Sequence, residues 1–230
     1  MPEICFENVS VQYEEREVLR NVDLTLREHR IGVIGANGGG KSTLIRLING
    51  LGTPTEGKVT VNGLDVAKNG KQVRRQVGFV FSDAENQIIM PTVEDDVAFS
   101  LRRLGIKKAE RLERAHHMLE QFGLLGHAQH SPHLLSGGQK QLLALAAVLV
   151  LEPDIIVADE PTTLLDMRNR RKIRAVFDGL AQQMIVVTHD LDFLSGFDRV
   201  LCVHDNGIVA DGNPDDVISF YKDLMAAEEL

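Results

Sequence analysis

Apolar residues recur with two periods along this chain, and each change of period marks a new part of it. Val22, Leu24 and Leu26 alternate with polar residues, which predicts a half-buried strand. Val59 and Val61 alternate as well, and Asn62-Gly63 supplies the positive-φ pair of a tight hairpin turn before Leu64 and Val66. Ile31-Gly32-Val33-Ile34 is apolar on both faces, with glycines and then a helical pattern behind it. That is a buried parallel strand feeding a helix. From Val97 to Leu104, and through Leu112, Ala115, Leu119 and Phe122, the interval becomes three and four, which predicts helices. Residues 107–120 are otherwise strongly charged, the polar face of a surface helix. Gly137-Gly138 then precedes an apolar helix running to Leu151.

The last third alternates strand and helix again. Strands are predicted at 155–158, 184–187 and 199–203, a helix at 167–182 and a short helical stretch near Leu191. Asp205-Asn206-Gly207 turns the chain into Ile208-Val209-Ala210. Such alternation implies an α/β fold with a largely parallel sheet covered on both faces. The helical block reads as an insertion, residues 88–152, between two parts (1–87 and 153–230) of one core. The chain shows no internal repeat, low-complexity segment or long linker.

Composition narrows the class. The 230 residues carry 33 acidic against 25 basic side chains, a net charge of −8, so the basic surplus needed for non-specific nucleic-acid binding is missing. The longest apolar run, Leu142 to Leu151, falls well short of the roughly 20 residues that span a bilayer. Met1-Pro2-Glu3-Ile4-Cys5 lacks the charged start and apolar stretch of a signal peptide. Cys5 and Cys202 lie in apolar surroundings and read as buried free thiols of a cytosolic protein.

Candidate chemistry begins at Gly35-Ala36-Asn37-Gly38-Gly39-Gly40-Lys41-Ser42-Thr43, the pattern G-x-x-x-x-G-K-[ST] between a predicted strand and helix. Glycines let the backbone N–H groups turn inward around a phosphate, and the helix N-terminus adds partial positive charge. Lys41 is placed to reach β- and γ-phosphates, and the Ser42 hydroxyl to ligate Mg²⁺. The apolar strand Ile155-Ile156-Val157-Ala158 ends in Asp159-Glu160, where an α/β sheet binds its ligand. Asp159 is the candidate to hold Mg²⁺ through water, and Glu160 to orient or deprotonate an attacking water. No N-K-x-D segment that would read guanine is present, so ATP is favoured.

Leu135-Ser136-Gly137-Gly138-Gln139-Lys140-Gln141 decides among nucleotide-binding families. With the two motifs above and Thr188-His189-Asp190, the chain resembles the ATP-binding cassette (ABC) ATPases over essentially its whole length. The resemblance implies a P-loop NTPase (RecA-like) core with an antiparallel β subdomain and an inserted α-helical subdomain. It implies that two subunits pair head to tail, as a homodimer or with a paralogue. Ser136, Gly137, Gly138 and Gln139 of one would then contact the γ-phosphate on the other's phosphate loop. It further implies that Tyr13 stacks on adenine, that His189 senses the γ-phosphate beside Glu160, and that Asp166 in Thr163-Leu164-Leu165-Asp166 crosses the dimer interface. Read without the family, Tyr13 is a half-exposed strand aromatic and His189 a lone histidine.

Two positions depart from the family pattern. Ser82 replaces a glutamine that ligates Mg²⁺; its hydroxyl is shorter and acts only through a water, so metal coordination by this loop is in question. Gln87 is no obvious substitute. Gly39 stands where a serine is common.

The segment Ser82 to Phe99 resembles the loop and helix of energy-coupling-factor (ECF) transporter ATPases. The resemblance implies that residues near Gln87 to Phe99 receive a transmembrane coupling subunit, that a substrate-binding membrane subunit is engaged indirectly, and that the chain sits peripherally on the cytoplasmic side of the membrane. Glu94-Asp95-Asp96 suits basic residues of a partner, and equally suits a solvent-exposed first helical turn. The short stretch after Pro214 resembles the biotin-uptake type, with cobalt or nickel as second cargo. His127, His130 and His133 read as exposed loop histidines rather than a metal site, since Pro132 interrupts any helix there. Two functions remain on the sequence: an Mg-dependent ATPase driving an importer, and a poorly hydrolysing ATP-responsive scaffold.

Overall fold

The structure, a computed structural model, describes residues 1–163 and 165–228. Alternation in the first third becomes β1 (Ile4–Tyr13), β2 (Arg16–Leu26) and β3 (Arg30–Ile34), followed by α1 (Lys41–Ile48), β4 (Glu56–Val61), β5 (Leu64–Asp65) and α2 (Val66–Gln76). After β6 (Val77–Val80) come α3 (Val93–Ser100), α4 (Lys108–Gln121) and α5 (Gly137–Leu149). The chain closes with β7 (Ile155–Asp159), α6 (Met167–Asp178), β8 (Gln183–Val187), β9 (Arg199–His204), β10 (Gly207–Gly212) and α7 (Pro214–Glu228).

These elements form two compact units. The first comprises Met1–Val77, Asp154–Glu160 and Gln182–Leu230, and the second Gly78–Pro153 with Pro161–Ala181. The first unit holds an antiparallel sheet in the order β2-β1-β4-β5 and a second sheet in which β10-β9-β3-β8-β7 follow one another. In the second sheet β9, β3, β8 and β7 are parallel, and β10 closes the edge as an antiparallel hairpin with β9. The central strands are apolar on both sides, and Ile31, Val33, Ile155, Val157 and Ile185 are fully buried. Each such side chain contributes about 1.5–3 kcal/mol on leaving water.

The hairpin at Asn62-Gly63 forms with both residues at positive φ, but the strand after it is shorter than its pattern. Val66 opens a helix because the Asp65 side chain accepts hydrogen bonds from the N–H groups of Ala67 and Lys68, capping a turn that the alternation had concealed. α6 ends at Asp178, short of the expected 182, with Gly179 as its C-cap. Cys202 is buried as expected, whereas Cys5 is only half-buried. No helix among the described residues is long and apolar enough to cross a membrane.

Candidate functional site

Parallel register brings three strand ends to one edge of the first unit. Asp159 of β7 lies opposite Val187 of β8, and Val33 of β3 lies opposite the same residue. Backbone bonds from Glu160 to the Val187 carbonyl (2.9 Å) and from Thr188 to the Val33 carbonyl (3.2 Å) extend the alignment past the strands. The residues that follow β3, β7 and β8 therefore meet, although the sequence puts more than a hundred positions between the first of them and the other two.

The loop after β3 is held by crowding. Gly35 has φ 144°, and a Cβ there would lie 2.0 Å from the Val203 carbonyl oxygen. Gly40, the left-handed N-cap of α1 at φ 102°, passes 2.7 Å from the Val18 carbonyl by the same measure. Inside the curl, Lys41 is only 6% exposed, and its Nζ donates to the carbonyls of Gly35 (2.8 Å) and Ala36 (2.9 Å). Burial lowers the Lys41 pKa, and the nearby Glu160 and Asp159 carboxylates partly oppose that. Ala36, Asn37, Gly38 and Gly39 form the open lip, and Thr43 follows Ser42 on the first turn of α1.

Ser42 Oγ donates to Asp159 Oδ1 at 3.0 Å, so a hydroxyl and a buried carboxylate already converge on one point. Hard oxygen donors of this kind fit Mg²⁺. Arg46, one helical turn after Ser42, places Nη2 at 3.5 Å from Asp159 Oδ2. Glu160 sits at φ 53°, a left-handed conformation that costs roughly 1–2 kcal/mol in a non-glycine residue. The Glu160 carboxylate accepts the His189 backbone N–H at 3.2 Å and lies 3.1 Å from His189 Nε2. Asp159 and Glu160 are thus neighbours with separate partners. Tyr13, at the end of β1, is 53% exposed, and nearby on β2 Arg16 donates to the Gly38 carbonyl at 3.4 Å.

The second unit carries the other candidates. Ser136 caps α5: its hydroxyl accepts from the Gln139 N–H, and the Gln139 side-chain oxygen accepts from the Ser136 N–H at 2.9 Å. Ser136 and Gly137 are exposed. Gly138 is buried, and a Cβ on it would meet the Asn169 side chain at 2.3 Å. Asp166 caps α6 by accepting the Asn169 N–H at 2.8 Å; Leu164 of the same motif lies outside the described residues. Ser82 is exposed. Gln87 is committed to β6, accepting from the Phe81 N–H (3.1 Å) and donating to the Phe79 carbonyl (3.4 Å).

The acidic stretch of α3 is not the exposed patch its sequence suggested. Glu94 and Asp96 are buried. Asp96 accepts the N–H groups of Ile89 (2.9 Å) and Met90 (3.0 Å), and Glu94 holds His116 and Gln129 at 2.6 Å each. Burial raises the Asp96 pKa against the pull of its two N–H donors. His127, expected to be solvated, is half-buried and bonded to Gln139. Sequence reading also missed Arg46 and Arg16. A signal existed for Arg46, four residues after Ser42 on one helix face, and none for Arg16, which reaches the loop through the sheet.

A glycine-lined phosphate loop, an acidic strand end bonded to its serine, and a glutamate bonded to a histidine define a P-loop ATPase site. The family model described as "ABC transporter" matches residues 19–163, and the chain belongs to the ABC transporter ATPases. It is 51% identical to a Deinococcus radiodurans protein named as an ABC transporter ATP-binding protein, over 95% of this chain and 96% of that one. With the "Biotin transport ATP-binding protein BioM" of Rhizobium etli it shares 44% identity over 97% of this chain and 99% of the relative. A solved structure of cbiO1 from Clostridium perfringens, described as part of the ABC transporter complex cbiONQ, superposes with a TM-score of 0.83. The match is 28% identical over 94% of this chain and 90% of that one.

Proposed function

We propose that this chain is the ATP-hydrolysing subunit of an ECF-type vitamin importer, and that its cargo system is biotin uptake. The observation that carries the proposal is the meeting of Lys41, Ser42, Asp159, Glu160 and His189 at the ends of β3, β7 and β8. Full-length similarity to a relative named for biotin transport supports biotin as first cargo; cobalt or nickel is the second, and similarity to a "Cobalt import ATP-binding protein CbiO" of Syntrophus aciditrophicus, 41% identical over 90% of this chain and 76% of that one, supports cobalt there.

In this reading residues 1–87 and 153–230 are the nucleotide-binding core and 88–152 the helical insert. Tyr13 stacks on adenine, and residues Gly35 to Thr43 wrap the phosphates with their N–H groups. Lys41 exchanges its two carbonyl partners for phosphate oxygens, which add negative charge beside a buried ammonium to that of Glu160 and Asp159. Ser42 and Asp159 would hold Mg²⁺, with Ser82 unable to replace the usual glutamine directly; the ion, when bound, neutralises phosphate charge. Glu160 takes a proton from the attacking water, and a bond forms from that oxygen to the γ-phosphorus as the bond to the ADP oxygen breaks. His189 keeps Glu160 aimed. Ser136 to Gln139 and Asp166 engage the nucleotide of a second subunit, a copy of this chain or a paralogue. Residues near Gln87 to Phe99 transmit closure to a transmembrane subunit, with the chain peripheral on the cytoplasmic face.

The test is steady-state phosphate release from the purified chain with Mg-ATP. Turnover should rise with protein concentration as dimers form, vanish in Lys41→Ala, and fall about 10²–10⁴-fold in Glu160→Gln while ATP binding is retained. Undiminished turnover in Glu160→Gln would overturn its role. ATP binding without turnover in the parent chain would favour the scaffold reading.

A further inference from the structure

The exposed end of α5, the signature segment Ser136 to Gln139, is tied down by a side chain outside it. Gln139 has an amide with two distinct ends, and both are engaged. Its oxygen accepts the Ser136 N–H at 2.9 Å, which fixes the orientation of the amide. Its nitrogen lies 3.2 Å from His127 Nε2. An amide nitrogen only donates, so His127 Nε2 accepts, and the ring proton of a neutral His127 sits on Nδ1. That nitrogen lies 3.3 Å from His130 Nδ1, with the two rings edge to face at 63°. One directed chain of hydrogen bonds results, running from the Ser136 N–H through Gln139 and His127 to His130.

We propose that His127 is a positioning residue for the signature segment, and that it acts only as a neutral imidazole. Ser136 and Gly137 are exposed, and the segment has to hold one conformation before a phosphate arrives. The Ser136 cap fixes the backbone at one end of the Gln139 amide, and His127 fixes the other. Protonation of His127 puts a donor on both ring nitrogens, sets an N–H against the Gln139 N–H₂, and breaks the chain at its centre. The charged and titratable groups on the elements around this turn include His130 and His133 beside it, Glu94 (held by His116 and Gln129), Asp95 and Asp96 of α3, His116, His117 and Glu120 of α4, and Lys140 of α5 held by Glu85. Glu94 and Lys140 have partners of their own, and the chain of hydrogen bonds itself runs through His127 and His130.

The inference rests on the proposal that Ser136 to Gln139 engage the nucleotide of a second subunit. It is therefore tested by ATP-driven dimerisation of the full chain in a Glu160→Gln background, alongside ATP binding to the monomer. His127→Leu removes the acceptor and should weaken dimerisation about tenfold, the scale of losing one hydrogen bond. Its monomer should bind ATP as before. His127→Gln presents an acceptor oxygen at a similar reach without a titratable proton, and should restore dimerisation. Rescue by His127→Gln distinguishes the acceptor from the bulk of the ring, which His127→Leu also removes. Equal dimerisation of parent and His127→Leu, or a loss in His127→Gln as large as that in His127→Leu, overturns the positioning role. A parent that binds ATP and stays monomeric overturns the dimeric reading, and this inference with it.

Discussion

The phosphate-loop region of the first unit and the α3–α5 region of the second handle buried polarity in opposite ways. Around Lys41 the backbone itself is the building material. Curled glycines pass within ångströms of distant carbonyls, and an ammonium with two carboxylates nearby is buried on them. Around α3 and α5 the work is done by side chains, each finding N–H groups or neutral partners: Ser136 with Gln139, Gln139 with His127, Asp96 with two amides. A region made of backbone fails outright when one atom is added. A region made of paired side chains loses one bond at a time.

Gly35→Ala is the severest way to break that contrast. The new Cβ would stand 2.0 Å from the Val203 carbonyl on neighbouring β9, and a strand carbonyl cannot move aside. A loss of at least ~3 kcal/mol is expected, with ATP binding abolished. Gly63→Ala is the control: it sits at φ 76° with nothing within 4 Å of a Cβ, so it pays only the conformational term of about 1–2 kcal/mol. Thermal unfolding and nucleotide binding of the pair separate crowding from conformation. Equal losses in the two variants would mean that close approach is not what shapes the loop.

The same contrast explains what could be read in advance. Gly35 to Thr43, Asp159-Glu160 and Ser136 to Gln139 are legible because each is defined within a few consecutive residues whose type follows from its backbone task. The parallel core is legible because its strands are apolar on both faces. Illegible were features whose meaning depends on distant partners. Glu94 and Asp96 look like exposed first-turn carboxylates until His116, Gln129 and the turn at Ile89-Met90 fold onto them. His127 looks solvated until Gln139 arrives. The turn of α2 was hidden for a local reason: Val59, Val61, Leu64 and Val66 continue an alternation that the Asp65 cap interrupts.

A milder perturbation probes the second region. Ser136→Ala removes the hydroxyl that accepts the Gln139 N–H, which costs about 1 kcal/mol at an N-cap. For a chain of this size that lowers Tm by about 2–4 °C. The fold should persist, since α5 is buried along Leu142 to Leu149 whatever happens at its cap. Scanning calorimetry checks this. A collapse as large as that of Gly35→Ala would show that the signature end, too, is held by something no single side chain replaces.

Asp96→Asn is the smallest and carries the sharpest sign. Burial raises the Asp96 pKa in the folded state, despite the N–H groups of Ile89 and Met90. A raised folded-state pKa means that the stabilising contribution is complete below the ordinary carboxylate range and is lost as pH rises through the folded value. At neutral pH the ionised side chain is therefore a cost to the fold. The amide keeps an oxygen to accept both N–H groups and carries no charge, so Asp96→Asn should raise stability at pH 7, by less than ~1 kcal/mol. That gain should shrink toward zero in acid, where Asp96 is itself protonated. Tm measured for both chains across pH 4–8 gives the difference directly. A loss at pH 7 that persists in acid would mean that the second Asp96 oxygen has a partner the amide nitrogen cannot serve, and that the helical region relies on this charge as the phosphate loop relies on Lys41.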